Sequence, residues 1–157
     1  MLPAVIARTT PERAVGMPTA VPLVQLRLAV SPCIVHADAS ETALHLRDAA
    51  LLAWLAIEGA TPRTKLAVLL WPRSAPDVAG NALRQRVFQL NRQSGAELVS
   101  GHTTLAPADG IVHDLDDSMQ VLGDAHDALG PALVEWLVRQ RVRRRGATLE
   151  AAERAGE

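Results

Sequence analysis

Pro72 restricts the fold of this chain more than any other residue. It closes the run Leu69-Leu70-Trp71-Pro72. Proline lacks a backbone N–H and its ring clashes with the preceding turn, so a helix entering this run has to stop there. The loop 72–76 follows. The stretch Asn81-Ala82-Leu83-Arg84-Gln85-Arg86-Val87-Phe88-Gln89-Leu90 then lies inside a second, longer helical pattern that Gly95 ends. At about 100° per residue, Ala79, Leu83, Val87 and Leu90 share one side. Asn81, Gln85, Phe88 and Arg92 fall opposite, with Arg84 and Gln89 on the shoulders. Arg86 falls at the edge of the apolar side, which makes it a structural residue rather than part of the polar face.

A short helix, a loop and a longer helix with Arg, Gln and Asn on its open face form the layout of a helix-turn-helix reading head. Such a face donates hydrogen bonds to base edges and phosphates. Phe88 is unusual there, and two readings are open. It makes apolar contact with a thymine methyl or a deoxyribose, or it packs against a sheet edge or a neighbouring hairpin.

Residues 1–22 contain Pro3, Pro11, Pro18 and Pro22, frequent enough to break regular structure, and are expected to be a loose leader. From Leu23 to Val30 apolar and polar residues alternate, as in a half-buried strand. Cys33–His36 and Thr42–Leu46 read as two more strands, so a small antiparallel sheet precedes the first helix. That helix spans 47–58, is apolar on nearly every side and should be central and buried, with Gly59 as its stop. Thr61-Pro62 reads as the next helix start, Thr as cap and Pro at the first helical position. Asp77 reads as the cap of the long helix. Beyond Gly95, residues 97–100 and 104–106 flank Gly101-His102-Thr103 as a hairpin, and 111–115 read as a last strand.

The order strands, three helices, hairpin resembles the OmpR/PhoB-type winged helix. More narrowly, it resembles the DNA-binding head of SARP-type bacterial activators. The match is carried by Leu46-Arg47-Asp48-Ala49-Ala50-Leu51-Leu52-Ala53, by Leu69-Leu70-Trp71-Pro72 and by Asn81 through Leu90, over residues 23–115. Glu135-Trp136-Leu137, Gln140-Arg141 and the Arg-rich stretch after them resemble the first helix of the family's bacterial transcriptional activator domain, a TPR-like helical array.

The resemblance implies an α+β winged helix-turn-helix with an N-terminal antiparallel sheet, three helices and a C-terminal β-hairpin wing, followed by a single amphipathic helix. Residues 116–130 become a linker and 131–157 the truncated start of the second domain. The implied function is sequence-specific transcriptional activation without catalysis, with double-stranded DNA as partner. RNA polymerase and a second copy on tandem sites are the further partners. Asn81, Arg84, Gln85, Phe88, Gln89 and Arg92 are the implied groove contacts. Thr61 and Arg63 are implied to face a phosphate at a helix N-terminus, and Gly101, His102 and Thr103 to touch the minor groove or its backbone. Arg73 and Ser74 are implied in polymerase contact. One helix of a repeat array does not bury its apolar face alone, so the tail is expected to need further chain or a partner surface.

Composition narrows the alternatives. Apolar residues make up 48 % of the 157 and aromatics 3 %, so a core is feasible and must be built from Leu, Val, Ala and Ile. The net charge of −1 argues against a protein that coats polyanions. Residues 23–115 carry eight basic and eight acidic side chains. Non-specific affinity rests largely on phosphate neutralisation, so this head alone should bind DNA weakly. A dimer, tandem sites or the cluster Arg139, Arg141, Arg143, Arg144 and Arg145 would compensate; that cluster otherwise reads as a solvated helix face. The same neutrality suits an alternative, a winged-helix module that binds protein and not DNA.

One cysteine, Cys33, fits a reducing cytoplasm. The apolar run 49–57 is too short to span a bilayer, and the N-terminus is a poor signal peptide. Histidines 36, 45, 102, 113 and 126 lack metal-ligand spacing, and Asp114, Asp116 and Asp117 lack that of a calcium loop. No metal or cofactor is therefore expected, and no phosphate cradle or nucleophile elbow is present.

Overall fold

In the computed structural model, the described residues are 24–116, 118, 120–123 and 129–156. The leader 1–22 and part of the 116–130 segment, His126 and Asp117 included, lie outside them. Strand β1 (Val24–Arg27) alternates buried and exposed, as its sequence does. It pairs antiparallel with β2 (Cys33–His36), Val24 opposite His36 and Arg27 opposite Cys33. In turn β2 pairs antiparallel with β3 (Glu41–Ala43), which is shorter than the expected 42–46 because Leu44 turns into the core and a helix opens at Leu46.

The expected sheet was antiparallel only. The structure adds β7 (Val112–His113) beside β1 in parallel, in the order β3-β2-β1-β7. A parallel neighbour needs a long crossover, and here three helices and a hairpin supply it. Asp114 fastens this edge: its Oδ1 accepts the backbone N–H groups of Leu28 at 2.7 Å and Ala29 at 3.1 Å.

Helix α1 (Leu46–Glu58) is the centre of the core, every residue from Asp48 to Leu55 being buried. Gly59 ends it at φ 79°, a left-handed conformation that glycine adopts without steric cost. The next segment corrects the sequence reading. Thr61 and Pro62 are not cap and first helical residue; they form β4, opposite Leu105 and Thr104 of the strand Thr104–Pro107. Pro62 sits on an edge strand, where a missing donor is tolerated. Helix α2 (Arg63–Leu70) follows, with Trp71 as its C-terminal cap residue just before Pro72. Helix α3 (Pro76–Ser94) starts with Pro76 in its first turn. Its N-cap is Ala75, without a side-chain cap. Asp77 therefore lies inside the first turn, where a negative charge favours the helix dipole. Gly95 closes the helix at φ 73°.

The second sheet has the order β4-β6-β5, β5 (Val99–Ser100) and β6 (Thr104–Pro107) forming the expected hairpin. Leucine dominates the interior: Leu28, Leu51, Leu55, Leu66, Leu83, Leu90, Leu98 and Leu105 are all below 2 % exposed.

Helix α4 (Pro131–Ala155) departs furthest from expectation. Its first half has a partner surface, and that surface is the head itself. Leu133, Trp136, Leu137 and Gln140 are buried. The Trp136 ring lies 4.8 Å from that of Trp54 on α1, and its Nε1 donates to Glu58 Oε1 at 2.8 Å. Val121 and Leu122 of the expected linker are buried as well, and the N–H groups of Leu122 and Gly123 donate to the carbonyls of Leu28 and Ala29 at 2.7 Å. Arg141 donates to the Val121 carbonyl and Arg144 to those of Leu115 and Ser118. Two of the five arginines in the cluster thus bind backbone. Leu115, Val121, Leu122 and the first half of α4 share one core with the elements from β1 to β6.

Replacing a buried aromatic by alanine costs roughly 3–5 kcal/mol. Trp136→Ala should lower the stability of the whole described fold by about that amount in urea unfolding. A loss below ~1 kcal/mol would show that α4 is not part of the core.

Candidate nucleic-acid interface

The open face of α3 consists of the polar residues that helical spacing placed there. Asn81, Arg84, Gln85, Gln89, Arg92 and also Gln93 are exposed, whereas Ala79, Leu83, Val87 and Leu90 are buried. Phe88 is 59 % exposed, so packing against sheet or hairpin is not its role. Arg84 Nη1 donates to Asn81 Oδ1 at 3.1 Å, which orders both side chains one turn apart on this face.

The rotation of α3 about its own axis is set from behind. Arg86 points inward, and its Nε donates at 2.8 Å to Asp48, a carboxylate only 2 % exposed, while Nη2 donates to the other oxygen. The hydrogen bond to Asp48 holds the Arg86 guanidinium above its ordinary pKa. The pair is the structural role that position 86 suggested.

The loop between β5 and β6 stands beside α3 and is tied down twice. Gly101 has φ 118°, and a Cβ there would lie 1.9 Å from the Thr104 carbonyl oxygen; only glycine fits. Arg63 reaches across from α2: its Nε donates to the His102 carbonyl and its Nη2 to that of Gly101 at 3.5 Å. At the other end Asn91 Oδ1 accepts the N–H groups of Leu98 at 2.7 Å and Val99 at 3.1 Å, and Asn91 Nδ2 returns a bond to the Val99 carbonyl. Sequence reading missed Asn91 as a hairpin anchor, because an asparagine on the shoulder of a helix carries no signal for a partner seven residues on.

The expected phosphate site at the start of α2 changes character. Thr61 is only 5 % exposed. Its hydroxyl accepts Trp54 Nε1 and donates to the Gly59 carbonyl, both at 2.9 Å. The N–H of Arg63 is taken by the Thr103 carbonyl at 2.9 Å. Thr61 thus faces the core, and Arg63 holds the hairpin tip. The exposed residues at this end of α2 are Thr64 and Lys65, neither of which stood out in the sequence.

Arg63, Thr64, Arg84, His102 and Thr103 line one open cleft of about 530 Å³. The structure thereby brings together the start of α2, the first half of α3 and the hairpin tip. Arg73 and Ser74 are exposed on the α2–α3 turn, but they belong to a separate cleft with Trp71, Gly130 and Pro131. Arg47, which also lines it, stacks its guanidinium 5.3 Å from the Trp71 ring centre.

Charge is segregated even though residues 23–115 are balanced. Five of the eight acids there are committed within the fold: Asp38 to Ser40, Glu41 to Arg27, Asp48 to Arg86, Glu58 to Trp136 and Asp114 to Leu28 and Ala29. From Val78 to Ser94, α3 has no acidic residue and three arginines, of which Arg84 and Arg92 face outward. The Cys33 thiol is buried, and burial and the neighbouring Glu41 push its pKa up, which makes it a poor nucleophile. Among the described residues no three His, Cys, Asp or Glu side chains gather to hold a metal ion, and no helix is long and apolar enough to cross a membrane.

Compared with known proteins, the chain matches no family model, no curated protein and no solved structure.

Two outcomes follow from this geometry. Arg86→Ala leaves Asp48 buried without its cation and should destabilise the fold by about 3 kcal/mol, the lower end for a broken buried pair because the guanidinium is one-third exposed. Unfolding in urea measures it; a loss under ~1 kcal/mol would remove the pair as the device that orients α3. Gly101→Ala should cost upwards of about 1 kcal/mol through backbone strain and speed hydrogen exchange of the hairpin amides. Exchange unchanged from the parent protein would show that the tip adopts another turn.

Proposed function

We propose that this chain is a sequence-specific double-stranded-DNA-binding regulator of transcription, with α3 as the recognition helix and the β5–β6 hairpin as the wing of a winged helix-turn-helix. The observation that carries the reading is the acid-free outer face of α3, Asn81 to Arg92, whose Arg84 shares one cleft with the hairpin tip. An α-helix with such a face fits the major groove, where Arg pairs with guanine, Gln and Asn pair with adenine, and an exposed ring such as Phe88 contacts the thymine methyl. His102 and Thr103 then lie over the neighbouring backbone. Arg63 serves as the post of the wing, and Thr64 and Lys65 meet phosphate at the start of α2. In this reading Arg73 and Ser74, on the turn away from the DNA face, are free to meet RNA polymerase, and the protein works in the cytoplasm by binding rather than by catalysis.

The balance of charge in the head favours a second reading, a winged-helix module that recognises another protein. Dependence on salt separates the two. Binding that falls steeply as salt rises belongs to phosphate neutralisation, and indifference to DNA at low salt belongs to the protein module.

Selection of bound duplexes from a random pool tests the proposal. A repeated or palindromic site should emerge, and Arg84→Ala or Gln89→Ala should each cost about 1–3 kcal/mol on that site and relax selectivity. Failure to enrich any sequence with folded protein, or equal affinity in both variants, would remove α3 from the reading role.

A further inference from the structure

The second half of α4 has a face made for another helix. Its inward side ends at Arg144, and from Arg145 to Gly156 every residue is exposed except the half-exposed Gly146. At 1.5 Å per residue this leaves about 18 Å of helix projecting, a length that gains little stability from helix propensity alone. Val138, Val142 and Leu149 are 50 %, 55 % and 65 % exposed. Their spacing of four and seven residues puts them on one stripe. That stripe lies on the side of α4 opposite Leu133, Trp136, Leu137 and Gln140, so the head does not cover it.

Gly146 borders the stripe in mid-helix. Glycine costs about 1 kcal/mol there relative to alanine, and a Cβ at this position would meet nothing within 4 Å among the described residues. The described residues of one copy give no reason for it, whereas close approach of a second helix does. Charge is arranged about the same point. Arg139, Arg143 and Arg145 precede Gly146, and Glu150 and Glu153 follow it.

We infer that two copies of this chain pair through antiparallel α4 helices crossing at Gly146. In a two-fold pairing, residue i meets j and j meets i. Positions whose distances from Gly146 match to within one residue come side by side. Val142 then meets Leu149 of the second copy, and Arg139 and Arg143 meet its Glu153 and Glu150. Arg139 and Glu153 lie on the same flank of the stripe, and like flanks face each other when helices run antiparallel. A parallel pairing would set the arginines against one another. Arg139 holds Glu135 of its own helix at 3.1 Å, an exposed pair that is worth little and is readily exchanged. A dimer of this kind joins two heads through their cores, because the first half of α4 is buried in each.

Sedimentation velocity of the whole chain over a range of concentrations, without DNA, tests the inference. A concentration-dependent monomer–dimer equilibrium is expected. Val142→Glu with Leu149→Glu should abolish it while the circular dichroism stays that of the parent. Glu153→Arg should weaken the dimer at least about tenfold, some 1.4 kcal/mol, and adding Arg139→Glu should restore it. A chain that is monomeric throughout, or a dimer indifferent to these changes, overturns the pairing. The test involves no nucleic acid. A dimer that ignores DNA would defeat the proposed function and leave this inference standing, and a DNA-binding monomer would do the reverse.

Discussion

A carboxylate buried among alanine and leucine is the constraint on which the arrangement of the open face of α3 depends. Asp48 lies in the first turn of α1, within a helix whose following seven residues are apolar and buried. An ionised carboxyl at such a place is costly unless it is paired and hydrogen-bonded. Arg86 supplies both with a two-pronged contact. In satisfying Asp48, Arg86 fixes how α3 is rolled against α1. Residues 81, 85, 88, 89 and 92 are turned outward as a consequence. A helix held only by Leu83, Val87 and Leu90 could roll at small cost, since apolar contact is non-directional; the fork of the guanidinium is directional.

The hairpin receives the same treatment. It is too short to be stable alone, so its conformation is imposed by neighbours. Arg63 grips the tip from α2 and Asn91 grips the base from α3. Thr61, expected on the surface, stands beneath and links the start of β4 to Trp54. Trp54 in turn meets Trp136. From the hairpin to α4 there is thus a continuous path of packed and hydrogen-bonded groups, which makes the tail part of the machinery that holds the candidate face in shape.

Much of this was legible in the chain. The 3.6-residue period placed Asn81, Arg84, Gln85, Phe88, Gln89 and Arg92 on the open side of α3, and Gly59, Pro72, Gly95 and Gly101 marked real turns, because those residues act through their own backbone geometry. Arg86 was separable from its neighbours by angle alone. What could not be read depends on distant partners. Thr-Pro is as good an edge-strand pair as a helix start, and only the presence of β6 decides between them. The parallel seat of β7 requires knowing where the helices return the chain. Trp136 and Leu137 looked like one face of an unpartnered array helix, because sequence shows a stripe and not the surface that meets it. Asn91 and the carbonyl-binding roles of Arg141 and Arg144 were hidden for the same reason.

The central claim is that α3, the start of α2 and the hairpin tip form one surface for duplex DNA. Backbone amide NMR during titration with a short duplex at low salt tests it most directly. Shifts concentrated at residues 63–65, 81–93 and 101–104, fading as salt is raised, are the predicted result. Shifts absent from α3, or gathered instead along the exposed half of α4, would contradict the account.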